Sequence, residues 1–523
     1  VLTTHCSSVA IEGVVRLLSS PSVYDDDSAE VEVIETHLSY VFLSRLHALK
    51  IKKPVHFEFV DFTTIGLRKD ACEEEVRLNR RWADDVYYGV FPVTKEMNGQ
   101  LAFDGAGLPV EWAVSMRRLR KEDSLDLLIC ERRLTANQEQ TLADHLVAKT
   151  MQLPQGEISP TDYVAKVRTQ QQANTQSLLR HAGNNEHHRI LRVHSALANF
   201  LWTQREVFET RVANGRVVEG HGDLRPEHIY MESPPQIIDG IEFSRALRTL
   251  DILDELCFLE VECERIGGHR LSAAIDEAYQ HHFDDRPPKG LVAFYKAYRA
   301  TVRAKVEALR LSQIQNVVDK ALLRDLRNHL VYADFYAQQL GRPWIIVVCG
   351  LMGTGKSTLA RSIAEAAGAD LLQTDVIRKL LIGTCETPAS YGGGNYRQLL
   401  RQQVYDRLLK DAADALDSGR SVIADGTFLT NSLRQDLFAI ARSRMAPILF
   451  VRCKTPRVNT ISRLQKRNES SESESEARPD LYDQQAAEEE KFNSAYPAVE
   501  IPTIDPVHHQ VETVRREFKA VVS

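Results

Sequence analysis

Residues Trp344–Leu359, WIIVVCGLMGTGKSTL, constrain this chain more than any other stretch. Ile345 to Cys349 form an apolar, β-branched run of the kind that fills a parallel strand buried on both faces. Gly350–Ser357 then spell G-x-x-x-x-G-K-S, and the residues that follow, Thr358–Ala367, have helical spacing. Strand, glycine loop and helix in that order are the context a phosphate-binding loop requires. The glycines Gly350, Gly353 and Gly355 let the backbone curl so that amides from Gly353, Thr354, Gly355 and Thr358 turn toward phosphate oxygens. The helix N-terminus adds positive potential there. Lys356 is placed to reach the β- and γ-phosphates, and the Ser357 hydroxyl to ligate Mg²⁺. The expectation is a nucleoside triphosphate site, with ATP and Mg²⁺ as its ligands.

Downstream the pattern alternates. Strands are expected at Leu371–Asp375, Ser421–Asp425, Pro447–Cys453 and Glu500–Asp505, with helices at Tyr396–Ser418, Asn431–Arg444 and Val458–Arg467. Such alternation means an α/β domain with a parallel sheet, whose site lies at the carboxyl ends of the strands. Asp375 and Asp425 both fall at such ends. Phosphoryl transfer needs a carboxylate that takes the acceptor's proton, and Asp375 in QTDVIRK is that candidate. Arg378, one helical turn on, is placed to hold an anionic group of the acceptor. Asp425 is placed either to contact Mg²⁺ through water or to bind the acceptor. Arg463 and Arg467, four apart in ISRLQKR, suit a lid over the phosphates, the competing reading being a solvated helix face. Gly392–Gly394 reads as a substrate-side loop.

A turn signal at Gly341–Pro343 marks a boundary, so the expected domains are residues 1–340 and 341–523. The first begins with helical spacing at residues 9–19, then strand-like VEVIETHLSYVFLSR and ALKIKKPVHFEFVDF, then a helix over Arg68–Asp84. Gln100–Leu119 is again strand-like, and the chain is helical from there to about Gln339 apart from Gly220–Phe243. Strands first and helices second predict an α+β, bilobal domain with lobes at about 30–118 and 119–340. The interruption reads GHGDLRPEHI followed by QIIDGIEFS. Further on, Asp251 and Asp254 of LDILDELCF are expected to tie loops to helix ends.

H-G-D-L followed by an apolar segment ending in Asp resembles the loops of aminoglycoside and choline phosphotransferases, small-molecule relatives of the protein kinases. The resemblance implies a kinase-like fold over residues 30–340. It makes Asp223 the candidate base and Asp239 a Mg²⁺ ligand. It also implies a strand lysine on the α/β-phosphates (Lys50, with Lys52 as the alternative), paired with Glu75 of the next helix, and a hinge at VSMRRL. His228 stands where protein-kinase loops carry a metal-binding Asn. No G-x-G-x-x-G loop is present in the first hairpin. Both departures keep open a domain that binds without turnover. The C-terminal motifs, T-D-x-x-R, V-I-x-D-x-T-F and R-x-x-x-R after the phosphate loop, resemble P-loop kinases of the polynucleotide 5′-kinase and zeta-toxin group. That likeness implies Asp375 as base and lid arginines on the phosphates. The fusion as a whole resembles bacterial bifunctional aminoglycoside phosphotransferase/ATP-binding proteins.

The formal net charge of −7 gives no general attraction to nucleic acid or anionic membrane. The acidic run Glu469–Glu476 would repel a strand passing the lid, so a small-molecule hydroxyl is the expected acceptor and a nucleic-acid end the alternative. Eight scattered cysteines without C-x-x-C pairs argue for reduced thiols in a cytosol. No apolar run reaches membrane-spanning length. The expectation is a cytoplasmic kinase, with its oligomeric state open.

Overall fold

The structure is a computed structural model that describes residues 4–57, 60–314, 319–382, 395–469 and 479–522. Gly392–Gly394 and nearly all of the Glu469–Glu476 run lie outside the described residues. By packing, the chain forms two compact units. One comprises Val1–Ser159 with Thr210–Arg299, the other Pro160–Glu209 with Ala300–Ser523. This division does not follow the turn at Gly341–Pro343. Helices Pro160–His181, His187–Thr203 and Lys320–Ala337, which precede that turn, belong to the same unit as the phosphate loop.

Unit one combines helices with an antiparallel six-stranded sheet. Across the sheet run Glu32–Glu35, Ser39–Leu43, His47–Lys52, Leu108–Arg117, Tyr87–Lys95 and Leu101–Phe103. The helix Ile65–Asn79 begins where the Thr64 side chain accepts from the Leu67 amide, the capping that an N-terminal hydroxyl supplies. Its Cys72 and Val76 pack with Ala48, Val114 and Met116 of the sheet. The VSMRRL segment is strand as far as Arg117 rather than a hinge along its whole length. Of the segment QIIDGIEFS only Gln236–Ile237 is strand. Asp239 takes a positive φ of 64°, which turns the chain away from extended geometry.

Unit two carries a five-stranded parallel sheet. Its strands run Asp370–Gln373, Val422–Asp425, Ile345–Cys349, Ile448–Lys454 and Ala498–Pro502 across the sheet, an order of 2-3-1-4-5 by position in the chain. The first strand is buried throughout, as its unbroken apolar run requires. Ile345, Val347 and Cys349 enter one core, with Leu408, Leu437 and Phe450. Ile346 and Val348 enter the opposite core, with Leu359, Ile363, Phe518 and Trp202. Trp202 comes from the helix His187–Thr203, so that second core closes only with a segment lying more than a hundred residues upstream of the sheet. Asp375 falls in the first turn of the helix Thr374–Ile382, not in the preceding strand. The last strand starts two residues and ends three residues earlier than expected, at Ala498–Pro502.

Candidate active site

In unit two the loop Gly350–Ser357 connects the central strand to the helix Lys356–Ala367. Gly353 has a φ of 73°, and a Cβ there would lie 2.9 Å from both Leu464 and Thr460. Gly350 has a φ of 129°, and a Cβ would lie 2.7 Å from the Cys453 carbonyl oxygen. Both positions therefore exclude a side chain on two counts, backbone conformation and space. Lys356 Nζ donates to the Leu351 carbonyl at 2.8 Å, which folds the ammonium over the loop. Thr354 Oγ1 donates to the same carbonyl at 2.7 Å, and the Thr503 hydroxyl donates to the Thr354 carbonyl.

The carboxylates converge beside this loop. Asp425, at the end of its strand and buried, accepts from Gln373 Nε2 at 2.9 Å, and the Ser357 hydroxyl is near enough to pull its pKa down. Burial pushes its pKa up against the opposing pull of Lys356, and the Asp375 carboxylate nearby adds to the rise. Asp375 pairs with Arg378 at 2.8 Å, both side chains about one-third exposed. Arg463 lies against the loop, its Nη1 3.5 Å from where a Cβ on Gly355 would stand. Its Nη2 donates to the Thr503 carbonyl at 2.7 Å. With Thr358, Asp505 and Gln510 it lines a cavity of about 470 Å³ beside Gly353 and Gly355. Arg467 lies on the same helix, Arg457–Glu469, and its side chain is outside the described residues. Sequence reasoning missed Gln485, whose buried Oε1 accepts from the Met352 amide of the loop at 2.6 Å. A glutamine in a polar helix carries no signal of that contact.

The set fits a nucleotide and a hard divalent cation. The loop is a cradle that a Cβ would fill, the helix N-terminus faces it, and Ser357 and Asp425 present adjoining oxygen donors of the kind Mg²⁺ prefers.

Unit one brings a second group together. Lys50 Nζ lies 2.8 Å from Glu75 and 2.6 Å from Asp239. Lys52 Nζ lies 2.5 Å from the other oxygen of Glu75 and also contacts Glu242. Both lysines that the sequence left as alternatives thus meet Glu75, but Lys50 is the one on Asp239. Burial disfavours the Lys50 ammonium, yet Asp239 and Glu75 hold its pKa well above the usual range. For Asp239 burial pulls the other way, and Lys50 keeps the carboxyl well below its usual range.

The HGDL loop is held by Glu255 and Arg299, which the sequence did not single out, with Asp251 and Asp254 beside them. Glu255 accepts from the His221 and Gly222 amides at 2.7 and 3.0 Å. Arg299 donates to the Gly222 carbonyl at 3.3 Å and to Asp254 at 2.6 Å. Asp251 accepts from the Leu253 amide at the start of helix Ile252–Arg265 and pairs with Arg211. Asp223 pairs with Arg225 at 3.1 Å. His228 Nδ1 lies 2.9 Å from the Asp223 carbonyl and its Nε2 2.9 Å from Arg225 Nη2. Arg225 has no lone pair to offer, so it donates, Nε2 accepts and Nδ1 carries the proton. In this tautomer the lone pair a metal would need is taken by Arg225, although Asp239 lies only 3.6 Å away. The Arg two residues past the motif Asp was the legible signal for this contact.

Residues 345–491 match a family model described as an AAA domain. Among solved structures the chain is similar to a sugar kinase from a Janibacter species, with a TM-score of 0.27 and 17% identity over 35% of this chain and 99% of that one. It is also similar to a gluconokinase from Sinorhizobium meliloti, with a TM-score of 0.26 and 21% identity over 35% and 95%. Two curated relatives are the uncharacterized proteins Rv2004c of Mycobacterium tuberculosis and Mb2027c of Mycobacterium bovis. Each is 32% identical over 435 residues, which cover 82% of this chain and 84% of the relative. Identity of that extent runs through both units, and the chain belongs to the family of these mycobacterial proteins.

Proposed function

We propose that the chain is an ATP-dependent phosphotransferase whose phosphate-loop unit moves the γ-phosphate of ATP to a hydroxyl of a small molecule. The observation that carries this reading is the convergence of Lys356, Ser357, Asp425 and Asp375 at the carboxyl ends of the parallel strands. Loop amides and Lys356 bind the phosphates, Lys356 exchanging its Leu351 contact for phosphate oxygens. Ser357 and Asp425 are the groups that would hold Mg²⁺, whose chemistry there is to neutralise phosphate charge. The nearness of the Ser357 hydroxyl favours this role for Asp425 over acceptor binding. Asp375 orients the acceptor hydroxyl and takes its proton, while Arg378 pairs with that carboxylate and fixes its direction. The cavity lined by Arg463 lies where the rest of the nucleotide would extend from the loop.

In unit one, Lys50, Glu75 and Asp239 support a second nucleotide site of the kind that the likeness to small-molecule phosphotransferases implies, with Asp223 beside it. Aminoglycosides as its acceptor would rest on fold analogy alone. The Arg225 contact to His228 favours a second reading, in which this unit binds nucleotide without turning it over.

The test is transfer of labelled γ-phosphate from ATP into a fractionated metabolite extract. Wild type, Lys356→Ala and Asp223→Ala are run side by side. One product lost only with Lys356→Ala supports a single catalytic unit and a binding module. Two products, each lost with a different variant, support two kinases. No product with any of them removes the enzyme reading. Salt-sensitive oligonucleotide binding would instead favour a nucleic-acid 5′ end as acceptor.

A further inference from the structure

The buried pair Lys52–Glu242 has no part in the proposed chemistry, yet it sits directly behind the groups that do. Lys50 and Lys52 lie two apart on the strand His47–Lys52 and so point to the same face. They share Glu75, Lys50 on Oε1 at 2.8 Å and Lys52 on Oε2 at 2.5 Å. Their second partners differ. Lys50 reaches Asp239, whose side chain is 47% exposed, whereas Lys52 reaches Glu242, which is 7% exposed. Lys52 itself is 1% exposed and lies 5.7 Å from the centre of the Phe62 ring. Lys50 therefore faces the open side of the cluster and Lys52 its interior.

The consequence is mechanical. A nucleotide phosphate arriving at Lys50 must draw that ammonium from Asp239 while Glu75 stays in place. Glu75 is fixed by a cation the nucleotide does not touch. That same cation fixes Glu242, three residues past Asp239, and so anchors the segment that aims Asp239. Stability is a poor reason to bury such a pair, since desolvation of the two charges offsets much of their attraction. Orientation is a better one. We propose that Lys52 is a positioning residue for the nucleotide site of unit one, clamping helix Ile65–Asn79 through Glu75 and the Asp239 segment through Glu242. This rests on the reading of the Lys50 cluster as a nucleotide site.

The experiment titrates the full chain carrying Lys356→Ala, which silences the phosphate loop, with ATP and Mg²⁺ by calorimetry, and records thermal unfolding alongside. Adding Lys52→Met is expected to weaken ATP about tenfold or more, the usual cost of losing an outer-shell partner. Lys52→Arg, which keeps the charge, recovers most of the affinity and supplies a folded variant should the methionine variant not fold. Lys52→Met with Glu242→Gln removes the buried unpaired carboxylate and restores thermal stability, but leaves ATP weak because Glu75 is still loose. Unchanged affinity in Lys52→Met, or full recovery in the double variant, overturns the proposal and leaves Lys52 a purely structural residue. No ATP binding by the Lys356→Ala chain itself overturns the nucleotide reading of unit one and the proposal with it.

Discussion

At the scale of single residues, burial sets a conflict between stability and chemistry that Asp425 makes measurable. Its pKa is raised by desolvation despite Lys356, Gln373 and Ser357. A carboxyl whose folded pKa lies above its unfolded one binds protons more readily in the native state. It therefore costs stability as pH rises through and above the usual carboxylate range. Asp425→Asn is expected to leave the ligand-free fold equally stable or up to ~1 kcal/mol more stable near neutrality, while Mg²⁺-dependent nucleotide affinity falls tenfold or more. Urea unfolding and nucleotide titration on the same samples check both halves. Glu260 shows the same sign without a ligand role. Burial drives it up to about 7, and Lys296 fails to hold it down because it is shared with Glu264 while Asp276 adds like charge. Unfolding free energy should decline between about pH 4.5 and pH 7 by on the order of 2–3 kcal/mol from this group. Glu260→Gln should flatten that part of the profile.

At the scale of elements, the phosphate loop depends on what covers it. Gly353 abuts Leu464 and Thr460 of the helix Arg457–Glu469. Gly353→Ala adds a methyl at 2.9 Å from both, on top of the penalty of a left-handed backbone. The expected cost is about 1–3 kcal/mol of stability and at least a tenfold loss of nucleotide affinity as the loop shifts. Gly99→Ala is the control, because Gly99 has a φ of 83° and nothing within 4 Å of a Cβ. If both variants behave alike, the contact with the covering helix is not what matters.

The parallel sheet was legible because strands buried on both faces must read as continuous apolar runs. The boundaries at Asp375 and Ala498 slipped where polar residues gave the pattern no edge. The helix Ile252–Arg265 was the opposite case. Glu255, Glu260 and Glu262 belong to no motif, yet all are buried. For Glu255 the partners are backbone amides of a loop 33 and 34 residues upstream, and for Glu260 a lysine far downstream. No local pattern records pairings at that distance. The lysines of His47–Lys52 show how far a motif goes, since it brought both forward but not their separate duties.

For the whole molecule, what distinguishes this chain from a simple fusion at Gly341 is where the second core of unit two is completed. The Trp202 ring lies 5.8 Å from that of Trp344 and stacks at 6.0 Å on Phe518. Asn199 Nδ2 donates to Ser421 Oγ at 2.7 Å, and Ser195 Oγ accepts from the Ser421 amide at 3.2 Å. Glu206 meets Arg515 at 2.5 Å and Lys519 at 2.9 Å. These contacts join residues before position 210 to the starts of the sheet's strands or to the final helix Val507–Val522. Cutting the chain at 341 would bare an apolar face and strand these polar groups, so residues 341–523 alone should melt well below the intact chain and expose surface to a hydrophobic dye. In the full chain, Trp202→Ala should cost about 3–5 kcal/mol. Because the helix and the sheet share one core, the loss should appear as a joint fall in amide protection of His187–Thr203 and Ile345–Cys349 by hydrogen exchange. Protection lost from the helix alone, together with a fragment as stable as the whole, would mean that the phosphate-loop sheet folds without its upstream helices.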